Sequence, residues 1–141
     1  MAANTSPIYS KVGDIQFVTL LAAAAATDGT TATLLFAADA TNGGRVDRII
    51  VKALGTNVAS VLRIFVNNGG AVGTATNNTL VAEANLVATT ASAVAAITPV
   101  IIPGSGDTTF PMVLPPGYRL YAALGTTVAA GYAIAAIGGK Y

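Results

Sequence analysis

Residues 111–141 read PMVLPPGYRLYAALGTTVAAGYAIAAIGGKY. Pro116 fixes its own φ and Gly117 can take φ > 0, so Pro116-Gly117 suits a type II turn. After that turn, Tyr118, Leu120, Ala122 and Leu124 alternate with Arg119, Tyr121 and Ala123. That is the twofold period of a strand. A second alternation follows, with Tyr132, Ile134 and Ala136 against Ala133, Ala135 and Ile137. Gly125 to Gly131 is long enough to connect the two strands as a hairpin. The expectation is a closing hairpin preceded by a rigid turn.

The same turn-and-alternation pattern runs through the chain. Ile15, Phe17 and Thr19 alternate with Gln16, Val18 and Leu20, although the alanines at 22–26 favour helix by propensity. Thr27-Asp28-Gly29-Thr30 is a turn signal of hairpin type. Thr31 to Ala37 alternates again, so two strands are expected across Ile15–Ala37, with the alanine run as close sheet packing. Asn42-Gly43-Gly44 makes the next turn. On the strand Arg45–Leu54, Val46, Arg48, Ile50 and Lys52 share one face, and Asp47, Ile49, Val51 and Ala53 the other. Neither face is purely apolar, as expected where both sides touch protein or the strand lies near an edge. Val58–Val66 offers Leu62, Ile64 and Val66 to a core, with Arg63 and Phe65 opposite.

Asn67 to Thr79 is an uncharged loop rich in Asn and Gly, and long loops on β scaffolds are common binding sites. Leu80–Ala88 reads as a strand with Leu80, Ala82, Ala84 and Leu86 on one face. Thr89–Ala96 fits a turn or a short helix. Ile97–Ile102 is interrupted by Pro99 and belongs at an edge. Thr108–Leu114 is the last strand before the closing pair. Eight or nine short strands with a turn every eight to twelve residues predict an all-β antiparallel sandwich, jelly roll being the expected variant. Residues 1–13 lack strand pattern and read as an N-terminal arm ended by Gly13, with 14–141 as a single domain. Ile8 and Tyr9 are the arm's apolar anchors.

Composition narrows the function. The chain has 141 residues, no Cys, no His and no Trp. Disulfides and thiolate metal sites are excluded, and the commonest general base near neutral pH is missing. Seven basic and six acidic residues make up 9% of the chain, against about 25% in an average domain. No clustered basic patch suggests nucleic acid. With 53% apolar residues and a mean hydropathy of +0.65, much of the surface is expected to be covered by copies of the chain or by a partner. The other reading is a surface made polar by Thr, Asn, Ser and Ala without charge. The longest apolar run, Phe17–Ala26, is shorter than the roughly 18–20 residues of a spanning helix. The N-terminus lacks the basic-then-apolar order of a signal peptide, so a soluble protein made in the cytoplasm is expected.

The six acids are Asp14, Asp28, Asp39, Asp47, Glu83 and Asp107. No two are spaced to share a face of one helix or strand, and turn roles are expected for Asp28 and Asp107. No phosphate loop, no activated serine and no carboxylate-rich calcium loop is present, so no cofactor is expected and the chain reads as non-enzymatic. Arg45, Arg48 and Lys52 form a small basic group that either meets an acidic partner or neighbouring subunit, or simply solubilises a strand. The tyrosines cluster toward the termini, and either form a binding patch, with Tyr121 and Tyr141 as candidates, or fill the rim of a core.

Three segments together carry a resemblance: LPPGYRL at 114–120 with LGTT at 124–127 and GYAI at 131–134, RIFVNNGG at 63–70 with LVAE at 80–83, and AANTSPIY at 2–9. The chain resembles small virion structural proteins of tailed bacteriophages. The resemblance spreads over most of the chain but rests on strand and turn residues, so no functional residue carries over. It implies a β-sandwich in the virion, often as head decoration that cements the capsid lattice. The implied partners are the major capsid protein and further copies of the chain, a trimer above all. Candidate partner contacts are Ile8, Tyr9, Arg45, Arg48, Lys52, Tyr121 and Tyr141. A tail-tube or fibre component and a carbohydrate-binding module using the tyrosines and the Asn67–Thr79 loop are the alternatives.

Overall fold

The computed structural model describes residues 10–24 and 26–141. Its strands are β1 (Val12–Leu20), β2 (Thr33–Ala37), β3 (Gly44–Ala53), β4 (Ser60–Asn67), β5 (Asn78–Leu86), β6 (Val100–Ile102), β7 (Met112–Leu114), β8 (Arg119–Leu124) and β9 (Tyr132–Lys140). Every pair of named strands is antiparallel. The first sheet runs β1-β9-β3, and β6 and β7 both pair with the far side of β3. The second runs β2-β8-β4-β5. With β6 and β7 together filling one strand place, this is the eight-place order of a jelly roll.

The core lies between the sheets. Phe36, Leu62, Ile64, Leu120, Ala122 and Leu124 come from the second sheet, and Val46, Ile49, Ile134 and Ala136 from the first. Each large side chain buried there stabilises the fold by roughly 1.5–3 kcal/mol. The two alternations of the C-terminal segment are therefore as expected, but their connection is not. Tyr132–Lys140 does not pair with Arg119–Leu124. β8 is an inner strand of the second sheet, β9 an inner strand of the first, and residues 125–131 cross between them. A twofold pattern shows which side of a strand is buried, not which sheet it joins.

Three bulges move residues away from their expected faces. Register slips on β3 between Val46 and Arg48, so Val46 turns into the core while Arg45 joins Arg48, Ile50 and Lys52 outside. It slips opposite Ile64 and Phe65, which leaves Leu80 exposed and packs Val81 on the core. It slips again on β2 between Leu34 and Phe36. A bulge adds one residue to one strand and inverts the alternation beyond it.

The N-terminal boundary also shifts. Pairing with β9 begins at Val12, and the Lys11 N–H donates to the Lys140 carbonyl, so residues 11–13 belong to the sheet. Residues 1–9, with Ile8 and Tyr9, lie outside the described residues. The described part of the alanine run is not a regular strand. Ala23 makes one bridge beside Leu124, and the Asp28-Gly29 turn links two different sheets rather than a hairpin. Residues 89–96 contain no helix.

Beyond the second sheet, the segment from Ala24 to Ala32 crosses over a smaller cluster of Ala32, Phe65, Tyr121 and Ala123, with Ala24 and Val72 against it. At the sandwich's other long side, the Gln16 side-chain amide acts as one rung of a β-ladder. Its Oε1 accepts from the Ala37 N–H at 2.9 Å, and its Nε2 donates to the Ala37 carbonyl at 3.0 Å. This stitches β1 to the edge of β2.

The Pro116-Gly117 turn is as expected. The Tyr118 N–H donates to the Pro115 carbonyl at 3.1 Å, and Gly117 has φ 76°. A Cβ on Gly117 would meet nothing within 4 Å, so backbone strain alone opposes a side chain there. Gly117→Val is expected to cost about 1–2 kcal/mol, read as a lower midpoint in thermal unfolding. An unchanged midpoint would show that the positive φ carries no cost.

Candidate interaction face

The outer surface of the first sheet is built by alternation. On β9, Ile134 and Ala136 point into the core, which leaves Ala133, Ala135 and Ile137 on the outside. Strand register then aligns rows across the sheet. One row is Phe17, Ala135, Ile50 and Ile101. The next is Ile15, Ile137 and Arg48, and on the other side Thr19, Ala133 and Lys52. Side chains directly opposite on neighbouring strands stand about 4.5–5.5 Å apart at Cβ, so each row is continuous. Phe17 is 79% exposed and Ile15 61%. The face is thus an open apolar surface four strand places wide, roughly 15 Å across.

The cations of this face lie on β3, with Arg48 and Lys52 on either side of Ile50. Arg45, Arg48 and Lys52 all project from β3 on it, the first by virtue of the bulge. Arg45 pairs with Asp47 through its Nε. Among the described residues, Arg48 and Lys52 have no ion-pair partner. Such exposed charges contribute little to stability; they flank the apolar row with positive charge.

The other candidate contacts fall elsewhere. Tyr121 is only 8% exposed, beneath the segment that crosses the second sheet, so it offers no open surface. Tyr132 is buried, its hydroxyl 3.4 Å from the Val87 carbonyl, and Tyr118 packs against the core. Among the described residues the tyrosines therefore form no shared patch. Tyr141 is half-buried immediately after β9.

The Asn67–Thr79 loop spends its amides on itself. Asn67 donates to Asn78 at 2.8 Å and accepts from the Gly69 N–H, while Asn78 donates to the Val72 carbonyl at 2.7 Å. Asn77 and Asn68 bond in the same way within the loop. These bonds fix the loop's shape.

The carboxylates are likewise engaged. Asp14, Asp47 and Glu83 face Lys140, Arg45 and Arg63. Asp28, Asp39 and Asp107 cap turns. The Thr30 backbone N–H and hydroxyl hold the Asp28 carboxyl below the usual carboxylate range. The N–H groups of Asn42 and Thr41 do so for Asp39, and the Thr109 hydroxyl and N–H for Asp107. Among the described residues no three acids gather to hold a metal ion, and no helix is long and apolar enough to cross a membrane.

These shifts set a pH profile. A lowered carboxylate pKa gives stability that is present above the unfolded value, about pH 4, and lost as pH falls through the folded one. Burial raises the Tyr132 pKa, giving stability that is present below about pH 10 and lost above it. The chain has no histidine, the side chain whose ordinary pKa falls between these limits. The thermal midpoint is expected to stay level from about pH 5 to 9 and to fall on both sides. A step within that plateau would contradict this assignment.

Comparison with protein-family models, with curated proteins and with solved structures found no match to this chain.

The cations of this face are conspicuous in the sequence, but its apolar centre is not. Ile15, Phe17, Ile50, Ile101, Ala135 and Ile137 each look like ordinary alternate strand residues. The available signal was that β1, β3 and β9 carry apolar residues on both alternating sets, so one set must lie outside a two-layer fold.

Proposed function

We propose that the chain is a non-enzymatic virion structural protein, a head decoration protein that binds and stabilises a capsid lattice through the outer face of its first sheet. The observation that carries this reading is the apolar row from Phe17 to Ile101 on a chain with only 9% charged residues. An apolar surface of that continuity is costly to leave in water and favours cover by another protein. The engaged carboxylates and the self-bonded Asn67–Thr79 loop fit a rigid building block. The class of partner, a major capsid protein, comes from the resemblance of the segments at 63–70, 80–83 and 114–134. The mechanism is mass action: a protein that binds only the assembled shell stabilises that shell. Arg48 and Lys52 would orient the docking toward carboxylates bordering an apolar patch on the shell.

The test is the copy number of this chain in purified virus particles from its source, relative to the major shell protein. Comparable numbers are expected. A small number of copies per particle would move the chain to the tail or a fibre, and absence from particles would overturn the virion reading.

A further inference from the structure

We propose that the edge of β1 left unpaired among the described residues pairs antiparallel with β1 of a second copy across a twofold axis, joining two first sheets into one continuous sheet. The comparison that carries this is among the sandwich's own edges. An exposed strand edge is a template for pairing, and folded proteins normally blunt it with short strands, bulges, charges or proline. β2 is five residues long, bulged, and stitched at Ala37 by the Gln16 amide. β5 carries a bulge and Glu83. β6 and β7 are three residues each, separated by a loop that holds Pro103 and Pro111.

Of these devices β1 has a single charge and no other. It runs nine residues in unbroken register with β9, with no proline and no basic residue. Its one charge, Asp14, is held by Gln16 at 2.8 Å and by Lys140. It also carries Phe17, one of the most exposed apolar side chains of the described residues.

A second copy is the occupant that this chemistry selects. The other edges are blunted, so among the described residues β1 finds its match in another β1. Antiparallel pairing of two identical strands is self-complementary, and a register with Ile15 opposite the second copy's Phe17 sets that apolar pair twice. No like charges are forced together. The contact uses up the edge in both copies, so it closes as a dimer instead of growing into a fibre. It also doubles the width of the apolar rows. The pairing is a property of the free protein and holds whatever larger structure the chain enters.

The experiment is sedimentation equilibrium of the full chain over a range of concentrations, beside the double variant Ile15→Lys/Phe17→Lys. The wild type is expected at twice the 14.0 kDa of one chain. The variant is expected to self-associate at least ten-fold more weakly with its cooperative thermal unfolding retained. Hydrogen exchange of the wild type supplies a second reading that needs no variant: β1 amide protection should rise with protein concentration. A wild type that stays monomeric overturns the pairing, as does a trimer, which the phage resemblance implies and which leaves no twofold β1 contact. A dimer that the double variant leaves intact, or β1 protection independent of concentration, overturns it too. None of these readouts involves a shell, so they fail or succeed separately from the decoration reading.

Discussion

Asn57→Leu is expected to cost about 3–5 kcal/mol, enough to leave the protein largely unfolded at moderate temperature. Asn57 is 3% exposed and ties together three connections at one end of the sandwich. Its Oδ1 accepts from the Ala130 N–H at 2.8 Å and the Gly131 N–H at 3.0 Å, and its Nδ2 donates to the Gly131 carbonyl at 3.0 Å. Its backbone exchanges two bonds with Thr89, while the Thr89 hydroxyl donates to the Gly55 carbonyl at 2.7 Å. Leucine fills a similar volume but leaves the Ala130 and Gly131 N–H groups without partners, each at about 1–3 kcal/mol when buried, while the Gly131 carbonyl keeps only the Leu54 N–H. The neighbouring exposed change Val58→Ser is the control and is expected to fall within about 0.5 kcal/mol of wild type. Chemical denaturation of both variants checks the pair; similar midpoints would show that the Asn57 network carries no stability.

Gly138→Val is the second large effect. Gly138 faces the β3 bulge at the centre of the first sheet, and a Cβ placed on it would land on the Arg45 carbonyl oxygen, with the Val46 Cα close by. Backbone atoms cannot rotate aside as a side chain would, so β3 and β9 must separate. A loss of about 3 kcal/mol or more is expected, well above that for Gly117→Val, where only the backbone conformation is strained. Equal midpoints for the two variants would contradict the close strand approach.

These two residues also show what the sequence could and could not reveal. Buried faces were legible wherever alternation was unbroken, as on Leu120, Ala122 and Leu124 or Ile134 and Ala136. The layer assignment was not, because periodicity is blind to which sheet a strand joins; hence the closing hairpin that is really a crossover. The bulges opposite Gly138 and at Val81 were invisible because one inserted residue leaves no local composition signal. Asn57 looked like an ordinary break at Gly55-Thr56-Asn57, since its partners at 130–131 are far along the chain. On the outer face of the first sheet, Arg45, Arg48 and Lys52 were legible because charge is conspicuous on a charge-poor chain. Its apolar centre emerges only when three strands distant in sequence are laid side by side.

The most direct measurement is the occupancy of an Ala135→Glu variant on virus particles, compared with wild type and with thermal unfolding followed in parallel. Ala135 lies in the middle of the Phe17–Ile101 row on the outside of an inner strand. A carboxylate there disrupts an apolar contact without entering the core. If the outer face of the first sheet docks on the shell, wild type attaches, and the variant loses attachment while keeping its melting midpoint within a few degrees. Attachment of the variant equal to that of wild type would contradict docking through this face.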